Sequence, residues 1–175
     1  FLWEYTPAAS STAAADNDLG YMLGRPTFAK MNNGSTALIV GNGYNNTGSG
    51  RAVLFILNAE TGALIRKIDT GVGTVGDPNG LSTPAVVGLD GNGTADYAFA
   101  GDIKGNVWKF DLTAAGSGSW SVAYGAPLFT ALDGLGNAQP ITSVVEVSRH
   151  PQGGLMVLFG TGQYIQTTDV PSTRV

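Results

Sequence analysis

The sequence predicts an all-β fold, and within that class a section of a β-propeller, from three observations. One unit of similar pattern occurs three times along the chain, and repetition at a fixed period indicates a repeat architecture. Each unit divides into short apolar or alternating segments rich in Val, Ile, Phe and Tyr, the residues that strands favour. Polar turns separate these segments, so each unit has the pattern of one blade with about four strands.

Two landmarks keep one period along the repeat. The three units read RPTFAKMNNGSTALIVGNG, TPAVVGLDGNGTADYAFAGD and QPITSVVEVSRHPQGGLMVLFGTG. A proline opens each unit, with spacings of 58 (84−26) and 56 (140−84) residues between Pro26, Pro84 and Pro140. A glycine closes the apolar strand of each unit, with spacings of 60 and 59 residues between Gly41, Gly101 and Gly160. The agreement between the two landmarks indicates a structural repeat.

Each unit is predicted to contain a short strand after the proline, a polar turn, and an apolar strand that ends at the glycine. Two units continue into further strands, RAVLFILNAETGALIRKID and GNVWKFDLTAAGSGSWSVAYG. Residues 59–62, AETG, predict a hairpin turn between the arms of the first continuation. The segment TPAASSTAAAD at 6–16 predicts a loop, because its Ser, Thr and Pro content disfavours a helix.

These elements predict that residues 1–175 form part of a single β-propeller domain. The blade-like repeats fall at about 21–80, 81–137 and 138–175, and residues 1–20 form the end of a preceding blade plus a loop. Closed propellers have about four to eight blades, so we expect about three blades of a larger propeller and a longer parent protein. The alternative is a β-sandwich, which leaves the repeat unexplained.

Composition argues against several classes of partner. Nine Lys and Arg residues stand against thirteen Asp and Glu, for a formal net charge of −4. The basic residues are scattered along the sequence, which argues against nucleic acid and against an anionic membrane surface as partners. The longest apolar stretch is far below the roughly 20 residues of a membrane helix, so no transmembrane segment is predicted.

Two features that can carry enzyme chemistry have simpler explanations. The string GVGTVG at 71–76 matches the glycine pattern of dinucleotide sites, but that mechanism needs a helix directly afterwards. DPNGLSTPAVV follows instead, so we expect a flexible loop between blades. The single histidine, His150, lies in the predicted turn SRHPQGG, and no glycine-flanked serine motif accompanies it. The sequence therefore predicts a protein that is not an enzyme.

The stretch GLDGNGTADYAFAGD at 88–102 has a pattern typical of a metal site. Asp90, Asn92, Thr94 and Asp96 place oxygen-bearing side chains at every second position of a glycine-bearing loop. Calcium takes six to eight oxygens from carboxylates, amides and backbone carbonyls, and such a loop can direct several of them at one point. The alternative is an Asx turn, in which Asp90 and Asn92 accept hydrogen bonds from nearby backbone N–H groups.

Other polar positions do not extend this pattern. Asp102 stands six residues beyond Asp96, about 20 Å along a strand, so we expect it at the other end of the blade. The corresponding turns of the first and third units, KMNNGST and VSRHPQGG, lack the alternation and add no ligand by analogy.

Most of the chain, from about Asp18 to Asp169, resembles the C-terminal propeller of the PilC/PilY family of type IV pilus tip-associated proteins. The resemblance rests on DLGYMLGRPTFAK, VGNGYNNTGSGRAVLFILNAETGALIRKIDTG, ADYAFAGDIKGNVWKFDL, QPITSVVEVSRHPQGG and VLFGTGQYI. It implies a modified, quinoprotein-like propeller in a large secreted protein at the cell surface, the pilus tip or the outer membrane. It also implies roles in pilus biogenesis, in opposing retraction and in adhesion. The implied partners are minor pilins or other pilus components, and a host or abiotic surface.

The resemblance also implies calcium as a cofactor. Family members carry a loop of the form Asp-x-Asp/Asn-x-Asp-x-x-x-Asp at this place. Alignment on Asp96 puts five residues on the ligand positions, namely Gly88, Asp90, Asn92, Thr94 and Asp96. Thr94 falls where a backbone carbonyl serves as the ligand. Gly88 departs from the family pattern, because the first ligand is usually an aspartate and glycine has no side chain.

Two other functions stay open at this stage. The strand pair around LNAETGALIRKIDTG is also similar to repeats of quinoprotein dehydrogenases, so the chain can be read as a fragment of a quinoprotein-like enzyme. A shared architecture does not establish a shared activity, however. The other alternative is a purely structural propeller that binds neither metal nor cofactor.

Overall fold

The computed structural model describes residues 2–8, 14–165 and 169, and its regular structure there is β-strand with two short 3-10 turns. In chain order the strands are β1 Tyr5–Thr6, β2 Ala14–Ala15, β3 Thr27–Lys30, β4 Thr36–Gly41, β5 Arg51–Asn58, β6 Leu64–Gly73, β7 Ala85–Val87, β8 Tyr97–Gly101, β9 Asn106–Asp111, β10 Ser121–Val122, β11 Phe129–Thr130, β12 Glu146–Arg149 and β13 Leu155–Leu158. The predicted all-β class is confirmed. Residues 9–13 of the loop predicted over 6–16 lie outside the described residues, and β1 and β2 reach into its two ends at Thr6 and at Ala14–Ala15.

The first sheet has the strand order β3-β4-β5-β6, with antiparallel neighbours throughout. The hairpin turn predicted at 59–62 joins β5 to β6. The side-chain oxygen of Asn58 accepts the N–H groups of Glu60 and Thr61 at 2.9 Å, which satisfies two turn donors. Gly62 then adopts φ +71, the left-handed conformation that glycine tolerates best. β6 continues through Gly73, so the loop predicted over 71–76 is wrong for its first three residues.

The second sheet runs β7-β8-β9, and two short strands share the outer edge of β9. β10 pairs with the end of β9 and β11 with its beginning, so two short strands divide this edge between them. Trp120 fixes the chain directly before β10. Its ring is fully buried, and its indole N–H donates to the Ala114 carbonyl at 2.8 Å. Tyr124 then takes φ 65, which turns the chain away from the sheet edge.

The third sheet pairs β12 with β13 in antiparallel register. Its first strand does not follow Pro140 directly, as the repeat predicts, but begins at Glu146. The intervening residues instead join the second sheet, since the N–H of Ile141 donates to the Asp102 carbonyl at 2.9 Å. The turn predicted around His150 is confirmed between β12 and β13.

Alternate side chains of the central strands pack on opposite neighbours, which stacks the sheets face to face. Ala98, Trp108 and Phe110 belong to the large core shared with the first sheet. Phe99 and Val107, one residue away in sequence, belong to a second core with residues of the 141–159 region. This alternation is the period-two pattern of a strand buried on both faces. The second sheet therefore packs on the first sheet with one face and on residues of the 141–159 region with the other.

The repeated glycines lie where successive sheets touch. A Cβ built on Gly41 would lie 2.6 Å from the Leu81 carbonyl oxygen and would overlap that of Ser82. A Cβ on Gly101 would lie 2.6 Å from the Cβ of Ile141. Among the described atoms, nothing comes within 4 Å of a Cβ on Gly160. The glycine period thus records close approach between sheets at the first two positions.

A cluster around Lys67 fastens the N-terminal segment to the first sheet. Its ammonium lies 2.7 Å from an Asp16 oxygen, 2.6 Å from an Asp18 oxygen and 5.6 Å from the centre of the Phe55 ring. Burial alone would raise the pKa of Asp18, but hydrogen bonds from Lys67 and Ser49 outweigh it and lower that pKa below its usual 3.8. Burial alone would lower the pKa of Lys67, but the two carboxylates raise it.

We expect Lys67→Met to lower the free energy of unfolding at neutral pH by about 1 kcal/mol, the upper end for partly exposed ion pairs. Because the pKa of Asp18 is lowered, its stabilisation is complete above the unfolded value of 3.8 and is lost as the pH falls through the folded value. The gap in urea midpoint between wild type and variant should therefore close as the pH is lowered below 3.8 and through the folded pKa of Asp18. Lys109→Met is the matched control, because that ammonium faces the Tyr97 ring at 3.8 Å. A gap that stays constant with pH would contradict the role of the carboxylates.

Candidate functional site

The candidate site is the loop at residues 88–96, which joins β7 to β8. Its two inner glycines, Gly91 and Gly93, take φ 79 and φ 80. Both values lie in the left-handed region, where a side chain would be strained. The two glycines therefore let the backbone curl, which brings the polar residues of the loop close to one another.

Asp90 and Asn92 form two successive Asx turns on the exposed side of the loop. One carboxylate oxygen of Asp90 accepts the Asn92 N–H at 3.0 Å, and the other accepts the Asn92 side-chain amide at 2.7 Å. The amide oxygen of Asn92 in turn accepts the Thr94 N–H at 2.7 Å. These are the contacts of the Asx-turn alternative, so the oxygens of both residues already have donors.

Asp96 is the buried member of the loop, with 5% of its surface exposed. One of its carboxylate oxygens accepts the N–H of Leu89 at 2.6 Å and that of Asp90 at 3.3 Å. The carboxylate therefore closes the base of the loop by binding the backbone where the loop begins. A buried carboxylate needs such partners, because removing it from water without them is costly.

Gly88 stands against the carbonyl of Thr94. A Cβ built on Gly88 would overlap the Thr94 carbonyl oxygen. The side chain of the first calcium ligand would start at residue 88. That space is occupied by the carbonyl oxygen of Thr94, to which the resemblance assigns a different ligand position. In this conformation the loop has no room for an aspartate at residue 88.

The donor set is at the lower limit of a calcium shell. Asp90, Asn92, Thr94 and Asp96 offer two carboxylates, one amide oxygen and one carbonyl, and they reach the minimum of six oxygens only if both carboxylates bind through both oxygens. Within residues 2–8, 14–165 and 169, no three His, Cys, Asp or Glu side chains gather in a way that can hold a metal ion. Calcium binding by these four residues stays a prediction.

Asn32 is a part of this site that sequence reasoning missed. It lies in the turn between β3 and β4, within the KMNNGST segment that seemed to add nothing to the loop. Its amide nitrogen donates to the carbonyls of Ala95 at 2.9 Å and Leu112 at 3.0 Å, and its oxygen accepts the Thr94 hydroxyl at 2.8 Å. A single side chain from the first sheet thus binds both ends of the β8–β9 hairpin region.

Asp102 lies at the opposite end of the second sheet, as expected. Its side chain is fully buried, and it accepts four hydrogen bonds. The donors are Asn79 Nδ2 at 2.8 Å, Asn106 N at 2.8 Å, Asn106 Nδ2 at 2.9 Å and Trp108 Nε1 at 2.8 Å. Burial and the Asp102 charge raise the pKa of Tyr44 to about 12. The Asp102 carboxylate therefore joins Asn79, which follows the first sheet, to Asn106 and Trp108 of β9.

Asn42 occupies the equivalent place in the first sheet, directly after its closing glycine. Its side-chain oxygen accepts the N–H groups of Val53 at 3.0 Å and Leu81 at 2.9 Å, and Leu81 leads into the second sheet. The sequence did contain this signal, because VGNG and AGDI both place Asn or Asp after the glycine.

Stacked antiparallel sheets, joined at glycine positions and by buried polar residues, define this chain as a section of a β-propeller. The sequence model described as the PilY1 beta-propeller domain matches residues 5–175. The chain belongs to this PilY1 propeller family, and the predicted fold class and family resemblance are confirmed.

Two curated relatives and one solved structure illustrate the similarity. Type IV pilus biogenesis factor PilY1 of Pseudomonas aeruginosa (strain PAO1) is 41% identical over 170 residues, which cover 87% of this chain and 14% of that protein. A PilY1 homolog of Xylella fastidiosa (strain Temecula1) is 44% identical over 168 residues, covering 88% of this chain and 11% of that protein. The crystal structure of the Pseudomonas aeruginosa PilY1 C-terminal domain superposes with a TM-score of 0.81 at 40% identity, covering 88% of this chain and 35% of that one.

The chain thus spans a small share of the length of these relatives, between 11% and 14% for the two curated proteins. Across the part of the chain that the structure describes, no helix is long and apolar enough to cross a membrane.

Proposed function

We propose that this chain is a propeller section of a type IV pilus biogenesis factor, acting through contacts with pilus components and not through catalysis. The observation that carries the proposal is the match over residues 5–175, together with 40% identity to a solved PilY1 domain at a TM-score of 0.81. Relatives at 41% and 44% identity are named as pilus biogenesis factors. The geometry is compatible with this role, because the sheets pack in layers and the described contact of the His150 ring is a local one, with the N–H of Gln152.

The finer proposal concerns place and partners. It puts the parent protein at the cell surface, with minor pilins or other pilus components as partners, and includes roles in adhesion and in opposing retraction. Calcium modulation is left out of this proposal, because the 88–96 loop reaches the minimum of six oxygens only with both of its carboxylates fully engaged on the ion. No observation favours a quinoprotein-like enzyme over this function.

The test replaces the chromosomal gene with one that encodes Asp102→Ala, which removes the central polar junction of the propeller. Asp133→Ala is the matched control, since Asp133 also accepts several hydrogen bonds but lies in a surface turn. We expect cells with Asp102→Ala to lose most of their surface pili, measured by shearing and quantifying pilin, while control cells keep them. Full piliation with Asp102→Ala, and with the whole segment deleted, would overturn the proposal.

The same strains in a background that cannot retract pili separate the finer roles. Recovery of pili in that background would support opposition to retraction, whereas continued absence would support a role in assembly alone. Adhesion is then measured on recovered pili of equal number, because a defect that persists at equal piliation belongs to surface binding.

A further inference from the structure

We propose that Asn32 takes over the organising role that the resemblance assigns to calcium, so that the 88–96 loop is ordered without a metal ion. The proposal is independent of the pilus function proposed above. It rests on three features of the described residues. These are the hydrogen bonds that Asn32 makes from the first sheet, the hydrogen bonds that the oxygens of the loop already accept, and the position of Gly88.

The first feature is the set of contacts that Asn32 makes across the two sheets. It uses both protons of its amide nitrogen and its oxygen, on the Ala95 and Leu112 carbonyls and the Thr94 hydroxyl, at 2.8 to 3.0 Å. The backbone reinforces it, because the Ala95 N–H donates to the Lys30 carbonyl at 2.8 Å. Met31, fully buried, pairs with Ala95 in a parallel bridge. The end of the loop is thereby fixed to the neighbouring sheet at several atoms.

The second feature is that the oxygens of the loop are already engaged. Asp96 holds the Leu89 and Asp90 N–H groups, and Asp90 holds Asn92 through both of its oxygens. Each of these donors occupies a lone pair of its acceptor oxygen, so fewer positions remain for an ion at the centre of the loop. The four residues reach six oxygens only with both carboxylates fully engaged on the ion, which is the minimum that calcium takes.

The third feature is the carbonyl of Thr94, which packs against Gly88 where a ligand side chain would start. Gly88 thus permits the closed conformation of the loop, because it leaves space for the Thr94 carbonyl. The hydrogen bonds of Asn32 hold the other end of the loop, at Thr94 and Ala95.

The test is hydrogen exchange of the amides at 89–96 in the full-length protein, with calcium chloride at millimolar concentration or with a chelator. We expect calcium to leave the exchange unchanged in the wild type. In Asn32→Ala the loop should exchange about tenfold faster, because three hydrogen bonds are lost together. Asn33→Ala is the matched control, since Asn33 lies in the same turn but bonds only Ser35. Exchange within β5 reports whether each variant remains folded.

Calcium-dependent protection of the wild-type loop would overturn the proposal, and so would unchanged exchange in Asn32→Ala. Should Asn32→Ala fail to fold, Thr94→Val decides, because it removes the hydroxyl that donates to Asn32 and to Asn92 and leaves both carbonyl contacts of Asn32 in place. Faster loop exchange in this variant, again without a calcium effect in the wild type, supports the proposal, and unchanged exchange overturns it.

Gly88→Asp provides a reciprocal test. We expect its loop to exchange faster than the wild type under chelator, because the new Cβ displaces the Thr94 carbonyl. Calcium should then restore protection, since a third carboxylate completes a better ligand set. Protection equal to wild type under chelator would contradict the closed-loop geometry, and so would a lack of any response to calcium.

Discussion

Replacing Asp102 with alanine should remove more stability than any other single carboxylate substitution in the described part of the chain. The change leaves buried donors on Asn79, Asn106 and Trp108 without an acceptor. Each unsatisfied buried donor costs about 1 to 3 kcal/mol, so we expect a loss of about 4 kcal/mol or more. Typical domains have only about 5 to 15 kcal/mol in total, and the variant should therefore unfold near room temperature or at low urea.

Two further substitutions show whether the loss of stability comes from the buried hydrogen bonds of Asp102 or from the loss of any aspartate. Asp102→Asn keeps the shape and one acceptor but turns an amide nitrogen towards the donors, so its loss should be intermediate. Asp133→Ala removes the acceptor for the N–H groups of Leu135 and Asn137 in a surface turn, where water replaces it. Urea midpoints should rank the wild type and Asp133→Ala highest, Asp102→Asn next and Asp102→Ala lowest. Equal losses for the two alanine variants would show that burial of Asp102 does not matter.

Local chemistry is what made much of the fold predictable. The hairpin turn at 59–62 depends on Asn58 and Gly62, which lie within four residues of each other. The polar curl at 88–96 likewise depends on Gly91, Gly93 and adjacent Asx residues. Each of these turns is stabilised by contacts between near neighbours, so the sequence pattern contains the information needed.

Contacts between distant segments were not predictable in the same way. Asn32 and Thr94 are 62 residues apart, and their hydrogen bond depends on how two sheets stack. Nothing in the local pattern of KMNNGST distinguishes an asparagine that reaches a neighbouring sheet from one that caps its own turn, as Asn33 does. The split outer edge of β9 was missed for a similar reason, because the burial of Trp120 depends on the first sheet.

The repeat period was only partly predictable from the sequence. The spacing of Gly41, Gly101 and Gly160 was visible, but its cause was not. The cause is steric, since the Leu81 and Ser82 carbonyls at Gly41, and the side chain and carbonyl of Ile141 at Gly101, lie where a side chain would stand. The periodic glycines therefore predicted a structural repeat, without showing that close contact between segments is what requires them.

Gly41→Ala should consequently destabilise the chain through a clash between sheets. The new methyl group would lie 2.6 Å from the Leu81 carbonyl oxygen and would overlap that of Ser82. Both obstacles are backbone atoms in the strand-like segment that follows the first sheet, so neither can rotate away as a side chain can. We expect a loss of about 3 kcal/mol, the upper end of typical overpacking costs. The urea midpoint of the variant measures this loss.

Gly160→Ala is the matched control, because Gly160 holds the same place in the repeat. No described atom lies within 4 Å of the added methyl group, and its φ does not fall in the left-handed region. The substitution should be neutral or slightly stabilising in the 175-residue chain, since alanine reduces the conformational freedom of the unfolded state. A similar loss for both variants would mean that backbone conformation, and not contact between sheets, accounts for the periodic glycines. A loss confined to Gly41→Ala would establish that the repeat in the sequence reports where one sheet's backbone meets the next.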